Sequence, residues 1–148
     1  MSLPPTHGNA ARAADRLSGD LGRLLLRWTI GILVLLHGLS KISGGPGPVI
    51  EMLRANDLPG MLGYAVYIGE VLAPVLLIVG LWTRAAALVV VINMVVAVAL
   101  AHSGDVFKLG PGGGWAIELQ ALYLLGAAAI ALLGAGSLSV GGARGRWI

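Results

Sequence analysis

Four long apolar runs constrain this chain more than anything else in it. They cover residues 24–40 (LLLRWTIGILVLLHGLS), 61–82, 85–101 and 115–136, which is 17, 22, 17 and 22 residues. Crossing the hydrocarbon core of a bilayer takes about 20 residues, with a range of about 17–25. All four runs qualify, the first and third at the lower limit. Hydrophobic residues make up 57% of the chain and charged residues 11%, against about 45–50% and about 25% in soluble domains. A single domain of 148 residues cannot hide so much apolar surface, so lipid must cover part of it. The expected fold is an all-α membrane protein, a four-transmembrane-helix antiparallel bundle.

The connections refine this expectation. Only Thr83 and Arg84 separate the second and third runs, which forces a tight antiparallel hairpin with Thr83 as the N-cap of the third span. Residues 43–60, SGGPGPVIEMLRANDLPG, read as a short surface helix in the first outer loop, started by Gly47 and Pro48 and ended by Asp57–Gly60. The loop from about 102 to 114 ends in Gly-Pro-Gly-Gly-Gly and must be flexible or tightly turned. Residues 1–9 are polar and Pro/Gly-marked, which predicts little order. After them, Ala10, Ala14, Leu17, Leu21 and Leu24 recur at helical spacing with Arg12, Asp15, Arg16, Asp20 and Arg23 on the other faces. That pattern predicts an N-terminal amphipathic helix lying in the membrane interface and running into the first span, not a cleaved leader. The chain thus divides into residues 1–23, a four-helix domain at 24–136, and a Gly/Arg-rich cytoplasmic tail at 137–148.

The formal net charge is +3, yet the cations form no basic stripe, so nucleic acid is not an expected partner. Their distribution reads as an orientation signal. With the N-terminus, the 82–84 turn and the C-terminus on one side, that side holds seven Lys and Arg and the other holds Lys41, Arg54 and Lys108. This predicts a multi-pass protein of the bacterial cytoplasmic (inner) membrane with both termini in the cytoplasm. No cysteine is present, which excludes disulfides, iron–sulfur clusters and a dithiol relay within the chain. Any redox role needs a bound cofactor or a partner protein.

An ionisable side chain inside a span costs about 2.5–3.5 kcal/mol on insertion scales and calls for a reason. His37 falls about one turn from the outer end of the first run, and Lys41 shares its face at i+4. Glu70 lies mid-way along the second run, with Tyr67 one turn further out; His102 ends the third; Glu118, Gln120 and Tyr123 open the fourth. All four runs therefore place polar groups at a similar depth in the outer half of the bundle, the pattern of a pocket. The plainer readings are a polar helix end meeting water for Lys41 and His102, a favourable charge on the helix dipole for Glu118, and an ion pair with Lys41 or Arg84 for Glu70. Arg27 and Arg84 fall near the inner edge, where long side chains snorkel to water. Asn93 reads as interhelical glue.

The stretch Arg27…Gly31…His37-Gly38…Lys41, a Gly-Pro pair before a short surface helix, Gly69-Glu70, Gly80-Leu-Trp-Thr-Arg84 and a third span ending in His102 resembles the DoxX family of small bacterial membrane proteins. The likeness runs from about Leu24 to Leu133. It implies a four-span bundle, an association with redox biology, and Arg27, His37, Lys41, Glu70, Arg84, His102 and Glu118 as the family's polar signature. Some relatives are subunits of a thiosulfate:quinone oxidoreductase; distant ones are chaperones or cargo receptors, so the resemblance implies the fold more firmly than a reaction.

A quinone would need donors for two carbonyls, a proton source and a flat apolar wall. His37 and Lys41 would bind a carbonyl oxygen, Glu70 with His102 would relay protons, and Glu118 with Tyr123 would line the entrance, with Tyr67 or Trp115 as a wall. Two histidines alone are a weak basis for a b-type haem, and no Glu-x-x-His spacing supports a metal site. The rival reading is a non-enzymatic scaffold, chaperone or assembly factor whose polar cluster grips a membrane or redox protein partner. A small-solute transporter ranks third and would require a homo-oligomer.

Overall fold

A single helix, α1 (His7–Gly44, 38 residues), carries both the amphipathic stretch and the first apolar run. The computed structural model describes residues 7–141, and their regular structure is helical; the only bridge among them joins Leu109 to Trp115. Expectations for residues 1–6 and 142–148 lie outside the described residues. At 1.5 Å per residue α1 is about 57 Å long. Its first part continues the hydrogen-bond ladder of the apolar part, and no proline stands between Ala10 and Gly44 to kink it. The amphipathic stretch thus runs into the first apolar run without a break, and its residues 11–19 are exposed.

The first loop forms α2 (Gly47–Ala55), with a proline in its first turn and Leu53 buried. It ends at Asn56 and Asp57, the latter at φ 57°. The second apolar run is not one uniform helix. It opens as a 3-10 segment (Gly60–Ala65), widens into a π-helical turn (Ile68–Leu72) and closes as α3 (Ala73–Val79). Pro74 accounts for the wide turn. It has no N–H to give the carbonyl four residues back, and its ring pushes against that carbonyl, which is Glu70's.

Gly80 ends α3 in the left-handed region at φ 78°, and its N–H bonds to the Leu76 carbonyl. Trp82, also left-handed at φ 46°, then begins α4 (Thr83–Ala101). Thr83 is therefore not the N-cap: it lies inside the helix, fully enclosed, with a hydroxyl that has no hydrogen-bond partner among the described residues. The glycine-rich loop is tightly turned. Gly110 and Gly114 pair through their backbones at 2.8 Å, Gly113 takes φ 81°, and the Trp115 indole donates to the Val106 carbonyl at 2.7 Å.

The fourth run forms α5 (Glu118–Leu133), 16 residues long, or about 24 Å. The described residues thus contain three helical stretches long and apolar enough to cross a membrane, with α5 shorter. The four pack as a ring in which α1 touches α3 and α5, and α4 touches α3 and α5. Val34, Leu77, Ala87, Val90, Ala127 and Ile130 fill its centre. Large apolar side chains cover the outside, among them Leu25, Trp28, Leu88, Leu125 and Leu132, as a lipid-facing surface requires.

Candidate functional site

The bundle has two unlike ends. At the end holding the α3–α4 turn, Arg27 is 1% exposed. It does not snorkel to water. Its Nε donates to the Leu77 carbonyl at 3.0 Å, one Nη to Ala135 at 2.5 Å and the other to Leu138 at 3.2 Å. All three carbonyls lie at or just beyond the C-terminal ends of α3 and α5, where orphan acceptors and the negative end of the dipole favour a cation. The first residues of the tail pack back here too. Val140 and Gly141 donate to the Val79 and Gly80 carbonyls, and Ser137 bonds to Asp20. Arg84 is looser, with one 3.4 Å contact to the Leu132 carbonyl.

At the opposite end the helices part around a cavity of about 790 Å³, set between α1, α2, the second run, α4 and α5. Glu70 stands on its wall, 5% exposed, on the π-helical turn. Lys41 Nζ lies 2.5 Å from both carboxylate oxygens, and Asn93 Nδ2 donates to Oε1 at 3.3 Å. Gly38 makes the approach possible. A Cβ there would collide with the Glu70 carbonyl, so only glycine lets α1 close on the carbonyl that Pro74 displaces. One turn on, the Tyr67 hydroxyl donates to the Lys41 carbonyl at 3.1 Å, satisfying an acceptor in the last turn of α1.

The two histidines reach the same cavity from different helices. His37 meets Tyr123 edge-on, with ring centroids 5.8 Å apart at 71° and the hydroxyl 3.5 Å from Nε2. His102 ends α4, with Nε2 3.0 Å from the Gln120 amide nitrogen and Nδ1 3.6 Å from Asp105. An amide nitrogen only donates, so Nε2 accepts and the ring proton sits on Nδ1, facing the carboxylate. In the loop beyond, Lys108 bonds to Asp105 at 3.0 Å and holds its carboxyl below the ordinary range, chiefly through that hydrogen bond and then through charge.

His37, Lys41, Glu70, Asn93, His102 and Tyr123 thus border one cavity, joined by Gln120. Three of the side chains expected at the pocket do not: Glu118, Tyr67 and Trp115, whose indole bonds instead to the Val106 carbonyl. Glu118 is exposed on the first turn of α5, turned back towards Gly114 and away from the cavity entrance it was expected to line. Tyr67 supports Lys41 from the other side of α1, where it borders a separate groove with Ile42 and Val75. Asn93, read as interhelical glue, does bridge helices, but through the Glu70 carboxylate. Val49, Met52 and Leu53 of α2 add apolar wall to the cavity. No group of three or more potential metal-ligating side chains occurs among the described residues.

A helical bundle with a part-buried Lys41–Glu70 ion pair on the wall of a cavity gives the general class, and comparison with known sequences makes it specific. The DoxX family profile matches residues 22–103, and the chain belongs to that family. A relative from Bacillus subtilis (strain 168), named "Putative oxidoreductase CatD", is 33% identical over 81 residues, 55% of this chain and 60% of that protein. The chain therefore spans less than two thirds of this relative's length. No solved structure matches.

Proposed function

We propose that this DoxX protein is a four-span subunit of the bacterial inner membrane, both termini cytoplasmic, that binds a quinone or similar small redox ligand in the cavity bounded by Lys41 and Glu70. The observation that carries this is the convergence of one ion pair, two imidazoles, a phenol and two amides on an otherwise apolar cavity. Ligand sites have this composition: a mostly apolar wall with a few polar groups that fix orientation. The ring packing of α1, α3, α4 and α5 supports the four-span arrangement. So does the lipid-type exterior.

In this reading His37 and the Tyr123 hydroxyl face one ring oxygen of the ligand. Lys41 polarises the other while Glu70 keeps it in place. His102, with Gln120 and Asp105, leads from the cavity towards the loops and gives a path for protons. The name of the Bacillus relative adds oxidoreduction as the general class. Any electron donor or acceptor beyond the bound ligand would come from a partner protein, since the chain has no thiols. Isothermal titration of the detergent-purified protein with duroquinone tests the assignment. Glu70→Gln should weaken binding at least about ten-fold, the worth of one charge-assisted hydrogen bond. Equal affinity in the variant would remove Glu70 from the site.

A further inference from the structure

The cavity is not sealed by protein on every side. Five apolar residues that line it are also substantially exposed: Leu58, Leu62 (51%), Ile68, Ile92 (62%) and Val96. A side chain that borders a cavity while half its surface is outside stands at the cavity's mouth. Leu58, Leu62 and Ile68 belong to the second run and its approach; Ile92 and Val96 lie on the outer half of α4. In this stretch α4 packs against the π-helical turn and α3, but makes no extensive contact with the 3-10 segment above them. The 3-10 winding that opens the second run therefore leaves a lateral gap beside α4, and α2 caps it from the loop side.

The chemistry of this mouth is uniform. None of the five residues carries a polar atom in its side chain, and the rim continues the apolar exterior of the bundle. The cavity's polar groups are not part of this rim: His37 and His102 are accessible on the α5 and loop side, and Lys41, Glu70 and Asn93 form the inner wall. There the two permanent charges, Lys41 and Glu70, neutralise one another, so the wall presents hydrogen-bonding groups and no net charge.

Building on the site reading above, we infer that the ligand is a membrane-borne amphiphile: a neutral polar ring bound at the Lys41–Glu70 wall, and an apolar tail that leaves sideways between the 3-10 segment and α4 into the lipid. Ring and tail then have separate determinants. His37 and Glu70 select the ring, whereas Ile92 and Val96 contact the tail, each buried methylene adding to affinity.

The test uses the full chain in phosphatidylcholine–phosphatidylglycerol nanodiscs and a benzoquinone bearing a ten-carbon tail with a diazirine at its end. Duroquinone serves as a competitor without a tail. After irradiation, peptide mass spectrometry should place most labels on residues 58–68 and 92–96, and excess duroquinone should remove them. Ile92→Trp, which fills the mouth, should lower that labelling at least five-fold. Labels spread evenly over lipid-facing residues such as Leu25 and Leu132, with duroquinone still bound, would overturn the lateral path and spare the ring site. Absence of duroquinone binding altogether would overturn both.

Discussion

The two ends of this bundle use buried polar residues in opposite ways. At the tail end, Arg27 gives its guanidinium to three main-chain carbonyls and leaves no space around it. At the loop end, Lys41, Glu70 and Asn93 bond to one another through side chains and stand on the wall of a large cavity. A cation satisfied by backbone is spent on structure, because its partners cannot move without the helix ends moving. A cation satisfied by a side chain can exchange that partner for a ligand. Two ionisable clusters in the same bundle thus separate into a clasp and a candidate site.

Substitutions should expose that asymmetry. The largest expected effect is on stability, at the clasp. Arg27→Leu leaves three carbonyls near helix ends without donors, each costing about 1–3 kcal/mol. The apparent Tm in detergent should fall by on the order of 10 °C, whereas ligand affinity of the surviving folded fraction should stay close to wild type. A smaller loss than that of Glu70→Gln would reverse the assignment of the two ends.

Next comes Gly38→Val, which must push α1 away from the Glu70 carbonyl. Overpacking of this kind costs about 1–3 kcal/mol. It should also lengthen the Lys41–Glu70 contact, so duroquinone titration should show weakened binding alongside the lowered Tm. Glu70→Gln sharpens the contrast from the other side. It keeps the shape and removes the charge, and since Lys41 is only partly buried the Tm should drop by a few degrees at most, with most of its effect on binding. The smallest effect belongs to the surface. Asp105 titrates below its ordinary range because of Lys108, so its contribution is present above the unfolded value of about 3.9 and is lost as pH falls through the lower folded value. Both groups are solvent-exposed, so the effect is small: below pH 4 the Tm should decline slightly more in wild type than in Lys108→Ala.

Much of this was legible in the residues. Apolar run length and the Thr83-Arg84 separation anticipate the α3–α4 hairpin, and Gly47-Pro48 marks where α2 begins. The depth of His37, Lys41, Glu70, His102 and Tyr123 along their runs points to one end of the bundle, because rise per residue converts position into height. Rotation about each helix axis is harder to read. Glu118 has the right height but faces outward, and Tyr67 lies on the far side of α1. The π-helical turn shifts the facing of every residue between Ile68 and Leu72, which uniform periodicity does not anticipate. Pro74, four residues after Glu70, was its sequence cue. Arg27 resembled an interfacial arginine, since carbonyls at helix ends leave no side-chain signature.

The central claim is that the Lys41–Glu70 wall belongs to a ligand site. The most direct measurement is mass spectrometry of the small molecules carried by protein extracted gently in its native lipid. Wild type and Arg84→Lys should both carry an amphiphile with a quinone ring, enriched over bulk lipid, and His37→Ala should lose it. The same lipid profile in all three proteins, indistinguishable from the surrounding membrane, would contradict the assignment.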